Sequence, residues 1–322
     1  MPNNTASVLV TGANGFIGKA LCAELLRFGH SVRAATRSTE NAQTIAIGEI
    51  NAETDWMDVL SGIKVVIHLA ARVHIMNDNS DDRLDKLRKV NVDGTLNLAR
   101  QAFQAGVQRF IFISSIKVNG EGTLLNQPYG ADDLPAPIDA YGVSKREAED
   151  ALRQLAEQTG IEVVIIRPPL VYGPGVKANF HNMMRWLKKG VPLPFGAVHN
   201  KRSFVALDNL VDLIVTCIAH PAAANQTFLA ADGEDLSTTE LLQRLGKALG
   251  QPVRLLPLPV WILKAVAMLL GKPDMAQRLC MSLQVDMSKT ADLLAWKPPV
   301  SVDEALQKTA TDFLQKCFRE SR

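Results

Sequence analysis

Tyr141 and Lys145 stand four residues apart in Tyr141-Gly-Val-Ser-Lys145. On a helix that spacing puts both side chains on one face, so a phenol and an ammonium can enter the same cleft. A fixed positive charge favours phenolate over phenol and would lower the tyrosine pKa. A phenol tuned in this way can give or take the proton of a carbinol–carbonyl pair. Ser115 follows the apolar run Phe110-Ile-Phe-Ile-Ser114, and its hydroxyl could hydrogen-bond the same substrate oxygen. Ser115, Tyr141 and Lys145 are the catalytic candidates.

The residues that must position this chemistry begin at the amino terminus. Val8-Leu-Val-Thr11 runs into Gly12, Gly15 and Gly18, spaced G-x-x-G-x-x-G, and then into an amphipathic pattern. Strand, tight turn and helix N-terminus in that order form a dinucleotide fingerprint. Glycines let a pyrophosphate approach the backbone, and the free N–H groups and helix dipole favour the anion. Gly12, Asn14, Gly15, Phe16, Ile17 and Gly18 are therefore expected to hold it. Apolar runs predict further strands near 31–36, 65–70, 109–114 and 162–167, after a first at 7–11. Helical patterns at 16–28, 84–105 and 139–159 alternate with them. Such alternation predicts a doubly wound parallel α/β sheet of Rossmann type. Near residue 170 the regular units give way to Gly173-Pro174-Gly175 and Gly190-Val-Pro192-Leu-Pro194. Residues 1–170 are read as the dinucleotide-binding domain. Residues 171–322 are read mainly as a smaller substrate-binding lobe over the carboxyl edge of the sheet, with part of 203–232 returning to the sheet.

Composition narrows the class. A formal net charge of +2, with both signs mixed along the chain, gives no electrostatic case for nucleic acid. Cys22, Cys217, Cys280 and Cys317 are far apart, without a C-x-x-C pair, which argues for a reducing cytoplasm and against a metal site. No secretory signal pattern opens the chain. The apolar stretch Val260–Leu270 contains Lys264 and is short of the ~20 residues of a spanning helix. It reads as a packing helix, and membrane association is not expected.

Taken together, these motifs resemble those of the extended short-chain dehydrogenase/reductase family, the nucleotide-sugar epimerases, dehydratases and reductases. The resemblance is carried by the glycine triplet, Leu69-Ala70-Ala71, Asn91-Val-Asp-Gly94-Thr, Ser114-Ser115, Tyr141-x-x-x-Lys145, Arg167-Pro168 and Val171-Tyr-Gly-Pro174. It extends through Arg202-Ser-Phe-Val, Asp208-Asn-Leu-Val and Leu294-Ala-Trp296-Lys-Pro298, where Ala295 replaces a glycine. The resemblance implies a Ser115–Tyr141–Lys145 triad, with Lys145 also reaching the nicotinamide ribose. It adds Leu69, Ala70, Ala71, Asn91 and Pro168 to the coenzyme site, and Glu49-Ile50 at the adenine. Lys117, Asn179, Arg202 and Arg278, with Ser115, are its candidates for the sugar nucleotide. It also implies a homodimer packed through the helices at 84–105 and 139–159.

In this fold an acid ending the second strand accepts the adenosine ribose hydroxyls. Thr36 and Arg37 stand there instead, and Arg37 could pair with a 2′-phosphate, with Arg33 or Ser38 beside it. The expected coenzyme is NADP, with NAD possible. Ser115 is followed by Ile116-Lys117 rather than the acid pair of the dehydratases. The reading drawn from the resemblance is reduction at C4 of a UDP-linked 4-keto-6-deoxy-N-acetylhexosamine for surface polysaccharide synthesis. The alternative is a UDP-hexose or UDP-N-acetylhexosamine 4-epimerase holding its NAD tightly.

Overall fold

The computed structural model describes residues 5–38, 44–73, 80–269, 271 and 279–320. Strands β1 (Ser7–Thr11), β2 (Ser31–Thr36), β3 (Thr44–Ala46), β4 (Val65–His68), β5 (Arg109–Ile113) and β6 (Glu162–Arg167) are followed by β7 (Leu170–Tyr172), β8 (Phe204–Ala206) and β9 (Thr227–Leu229). Among the described residues, seven strands form one sheet in the order β3-β2-β1-β4-β5-β6-β9. Every neighbouring pair in it is parallel. The order reverses at β1, where a doubly wound sheet opens its binding crevice. β7 and β8 pair separately.

Both faces of the sheet are apolar, which is why its strands read as continuous runs rather than alternating ones. Val8, Val10, Ile67, Ile111 and Val164 face one way, against α1 (Phe16–Arg27) and, further along the chain, the helix Leu207–Ala219. Leu9, Val66, Phe110, Phe112 and Ile165 face the other, against helices α4 (Thr95–Gln104) and α5 (Ala140–Thr159). Two short helices, α2 (Met57–Leu60) and α3 (Ser80–Arg88), precede α4. The helix expected at 84–105 is broken by a π-helical turn, Lys89–Gly94. That turn buries Asn91, which anchors it to the neighbouring loop as described below.

The later part of the chain supplies α6 (Ala178–Lys188), α7 (Leu207–Ala219), α8 (Thr238–Ala248), α9 (Val260–Leu269), α10 (Ser288–Leu294) and α11 (Val302–Glu320). Tyr172, Phe180, Leu187, Leu242, Leu306 and Phe313 form a further hydrophobic cluster there. The hydroxyl of Tyr172 donates to Asp232 at 2.8 Å, and the other oxygen of Asp232 accepts from the backbone of Ala206 and from Asn209, both at 2.7 Å. This carboxylate clamps β8 and α7 to the segment after β9. No helix among the described residues is long and apolar enough to cross a membrane.

Ala295 caps α10 with φ 49° and ψ 29°, the left-handed region. The next residue explains why the backbone stays there: the Trp296 ring is buried in the first core and its Nε1 donates to Asp212 at 2.7 Å. Left-handed backbone costs an alanine about 1–2 kcal/mol more than a glycine, and glycine's extra unfolded-state freedom offsets part of that. Ala295→Gly is expected to raise the unfolding free energy by about 1 kcal/mol, read by urea denaturation. A loss of stability would show that the alanine methyl makes contacts outweighing the strain.

Candidate active site

The glycine loop is built by close approach. Gly12 adopts φ +68°, and a Cβ there would sit 2.9 Å from the backbone nitrogen of Ala70. A Cβ on Gly18 would sit 2.2 Å from the carbonyl of Gly12. The turn after β1 thus folds onto the turn after β4, leaving room for backbone only. Gly15 donates to the Gly12 carbonyl at 2.9 Å and caps α1 in an extended conformation. The first-turn N–H groups of a helix lack intrahelical acceptors, so Phe16 and Ile17 offer theirs at the crevice. Asn14 and Gly15 are exposed, whereas Phe16 and Ile17 are half-buried. Such a cradle fits the pyrophosphate of a dinucleotide.

Residues around the cradle divide by what occupies them. Leu69 and Ala70 follow β4 and donate their N–H groups to the carbonyl and hydroxyl of Thr11, both at 3.3 Å; Ala71 follows, half-buried. Asn91 accepts from the Arg72 N–H at 2.8 Å and donates to the Arg72 carbonyl and Ser144 Oγ, both at 3.0 Å. Its amide ties the loop after β4 to α5. Ile50 packs against Gly94, and Glu49 beside it is exposed. Arg37 is exposed at the end of β2. Arg33 is not beside it in function, because its guanidinium donates to the carbonyls of Val59 and Ser61 at 2.7 and 3.0 Å.

The three catalytic candidates lie at a strand end and a helix start. Ser115 is half-buried beyond β5, and its Oγ accepts from the Lys117 N–H at 3.3 Å. Pro168 accepts from the Ile116 N–H at 3.0 Å, which fixes the same turn to β6. Tyr141 and Lys145 lie in the first two turns of α5. Asp139 caps that helix, accepting from the Gly142 N–H at 2.7 Å, and its other carboxylate oxygen takes the ammonium of Lys117 in a very short ion pair. Lys117, expected at the substrate, therefore braces the Ser115 turn against the start of α5.

Burial changes the expected electrostatics. Lys145 is buried, donates to the Ile113 carbonyl at 2.8 Å and lies 4.2 Å from the Phe112 ring centre. Desolvation brings its pKa down to about 7, although Glu149 pulls the other way. Tyr141 is pushed up to about 12, first by burial and then by the Asp139 charge. The expected lowering of the phenol is thus absent, because burial and the Asp139 charge both raise it. His68, at the end of β4, is held to about 3 by burial and by Lys145. It stays neutral between Thr11 Oγ1 at 2.7 Å and Thr95 Oγ1 at 3.0 Å.

Glu149 lies one turn beyond Lys145 and is fully buried. It accepts from Ser114 Oγ at 2.6 Å and from two nitrogens of Arg167 at 2.9 and 2.6 Å. Despite its burial, those Arg167 bonds hold its carboxyl below the ordinary value. Sequence reasoning passed over Glu149, Asp139 and His68. The signals were a carboxylate continuing the Tyr141–Lys145 stripe, an Asp at the N-cap three residues before Gly142, and a lone histidine in an apolar run.

The sugar-nucleotide candidates are less gathered. Arg202 bridges to Leu236 and Leu283, and its guanidinium donates to the Met281 carbonyl at 3.0 Å. Asn179 falls in the first turn of α6. Arg278 lies outside the described residues.

A pH dependence follows from Lys145. Between pH 7 and the onset of thiol and phenol titration, its amine is largely neutral in the folded chain and protonated in the unfolded one. The unfolded state then binds more protons, so stability rises with pH. Lys145→Met is expected to flatten that rise in the coenzyme-free protein, read by denaturation at a series of pH values. An unchanged slope would mean the lysine titrates normally.

Comparison with known proteins agrees with the fold. The model of the NAD dependent epimerase/dehydratase family covers residues 8–231. A Vibrio cholerae protein named UDP-glucose 4-epimerase is 51% identical over 314 residues, covering 96% of both chains. A protein of the same name from Mycolicibacterium smegmatis is 28% identical over 336 residues, covering 96% of this chain and 98% of the relative. The solved UDP-N-acetylglucosamine 4-epimerase from Bacillus cereus superposes with a TM-score of 0.79 at 20% identity, covering 95% of this chain and 99% of its own. The chain, with its glycine cradle and its Ser–Tyr–Lys set, belongs to the NAD dependent epimerase/dehydratase family.

Proposed function

We propose that the protein is a UDP-hexose 4-epimerase that keeps its nicotinamide coenzyme through the reaction. This replaces the C4 ketoreductase expected from the sequence, which is overturned by the relative at 51% identity, named a UDP-glucose 4-epimerase. That identity, over 314 residues and 96% of both chains, is the observation that carries the reading.

The Gly12–Gly18 cradle would hold the coenzyme at its pyrophosphate, and Lys145 would hold it at its ribose. When bound, nicotinamide supplies acceptance and return of a hydride at sugar C4 and, in its oxidised form, a positive charge that favours the Tyr141 phenolate. Tyr141 takes the proton of the sugar 4-hydroxyl as the carbon is oxidised and gives it back when the ketone is reduced. Ser115 donates a hydrogen bond to the same oxygen. The 4-keto sugar turns over between the two half-reactions, so that its opposite face is reduced. Arg202 is the candidate for the diphosphate, which a guanidinium suits. NAD is the coenzyme consistent with a closed redox cycle, whereas the Thr36–Arg37 strand end would admit a 2′-phosphate.

Incubating purified protein with UDP-glucose alone is expected to give UDP-galactose without added reductant. NAD is expected in the supernatant after acid denaturation. A chain that leaves UDP-glucose unchanged, or that instead reduces a UDP-linked 4-keto sugar with added NAD(P)H, would overturn the proposal. Release of NADP instead would assign Arg37 to the 2′-phosphate.

Tyr141→Phe keeps the ring and removes the proton carrier. Turnover is expected to fall by about 10²–10⁴-fold, with coenzyme still retained on purification. Lys145→Met is expected to lower turnover and release coenzyme together. Retention of more than about a tenth of wild-type turnover by Tyr141→Phe would remove it from the proton path.

A further inference from the structure

Helix α9 presents an apolar face that the rest of the fold leaves uncovered. Its inner face is Leu263 and Ala267, both buried. Its outer face carries Trp261 at 71%, Met268 at 71% and Leu269 at 87% exposure, with Val266 also exposed. A helix of 10 residues is about 15 Å long, half the ~30 Å of a bilayer core, so it could lie on a membrane but not cross one.

Charge says what such a face would meet. No Asp or Glu occurs between Glu240 and Asp274, although 33 of the 322 residues are acidic; about three would be expected in a stretch of that length. The same stretch contains Arg244, Lys247, Arg254, Lys264 and Lys272. Arg244 is paired with Glu234 and Asp303, but Lys264 and Arg254 are exposed. Lys264 stands within the apolar face itself. A lysine there can bury its stem and keep its ammonium at lipid headgroups. Trp beside Lys, with aliphatic residues and no acid, is the composition of a helix lying at an anionic interface. Self-association fits less well. A two-fold contact is self-complementary and would set Lys264 near its own copy with no acid on the helix to neutralise it.

Lys264 acts electrostatically on Cys280, and Thr123 bridges to Ser282, placing exposed Leu124 and Leu125 next to the same segment. Arg202 bonds Met281 within it.

We propose that the outer face of α9 docks this protein peripherally on an anionic lipid surface, with Trp261, Met268 and Leu269 inserted and Lys264 at the headgroups. The proposal is independent of which sugar the active site handles. It is tested on the full chain by co-sedimentation with phosphatidylglycerol–phosphatidylethanolamine vesicles, against phosphatidylcholine vesicles and against no lipid. Binding to the anionic vesicles is expected to exceed that to phosphatidylcholine at least tenfold and to weaken with salt. Trp261→Glu and Leu269→Glu, both on exposed positions, are expected to lower it at least tenfold without loss of thermal stability. Lys264→Glu is expected to lower it through charge alone. Absence of binding to anionic vesicles would overturn the proposal, as would equal binding by the glutamate variants. A lipid-free dimer dispersed by Trp261→Glu would also overturn it, assigning the face to a second copy.

Discussion

The buried carboxylate of Glu149 is the constraint on which the site depends. A charge removed from water is tolerated only when it is paired and its lone pairs are filled. Ser114 at the end of β5 and Arg167 at the end of β6 fill them, so α5 is locked in height and rotation against two central strands. Arg167 also donates to Asn119 at 3.0 Å, past the turn that carries Ser115. The helix bearing Tyr141 and Lys145 and the loop bearing Ser115 are thereby referred to one ion pair. Asp139 and Lys117 repeat the device at the other end of the same interface. Two buried or half-buried ion pairs, one on each side of the Ser–Tyr–Lys set, fix its geometry independently of any ligand.

The same burial sets the charge state. With Lys145 brought to about 7 and Tyr141 raised to about 12, burial favours a neutral phenol and an amine near its titration point. His68 below them is held neutral, so it adds no competing positive charge. Tyr141 and Lys145 therefore add little charge to the interior beside the Glu149–Arg167 pair. A positively charged partner would shift the balance toward phenolate by ordinary Coulomb attraction, which couples readiness for proton transfer to occupancy of the coenzyme site.

Much of the sheet was legible in the sequence because both faces are covered. Apolar runs such as Val65–Leu69 and Phe110–Ile113 have no solvent-facing positions to dilute them. The edge strands were harder to read. β3 and β9 are three residues each, too short for a periodic signal. The break in the helix at 84–105 was hidden because the π-helical turn carries Asn91, whose long-range bonds to Arg72 and Ser144 no local pattern encodes. Within the site, the glycine loop and the Tyr–Lys spacing were legible because local backbone demands write them. Lys117 was placed at the substrate by the resemblance, whereas its ammonium is taken by Asp139, 22 residues away.

The direction of the chemistry was the least legible feature, for a physical reason. A C4 reductase and a C4 epimerase need the same proton carrier, the same hydrogen-bond donor and the same hydride geometry. They differ in whether the coenzyme leaves between turnovers and whether the keto sugar can rotate within the site. Retention depends on the summed grip of loops such as those after β2 and β4, each worth little alone. Rotation depends on slack around the sugar. Neither quantity resides in a motif of fixed spacing. A missing acid after β2 therefore bears on one ribose contact and cannot decide the reaction, whereas identity sustained across the whole chain samples all of those small terms at once.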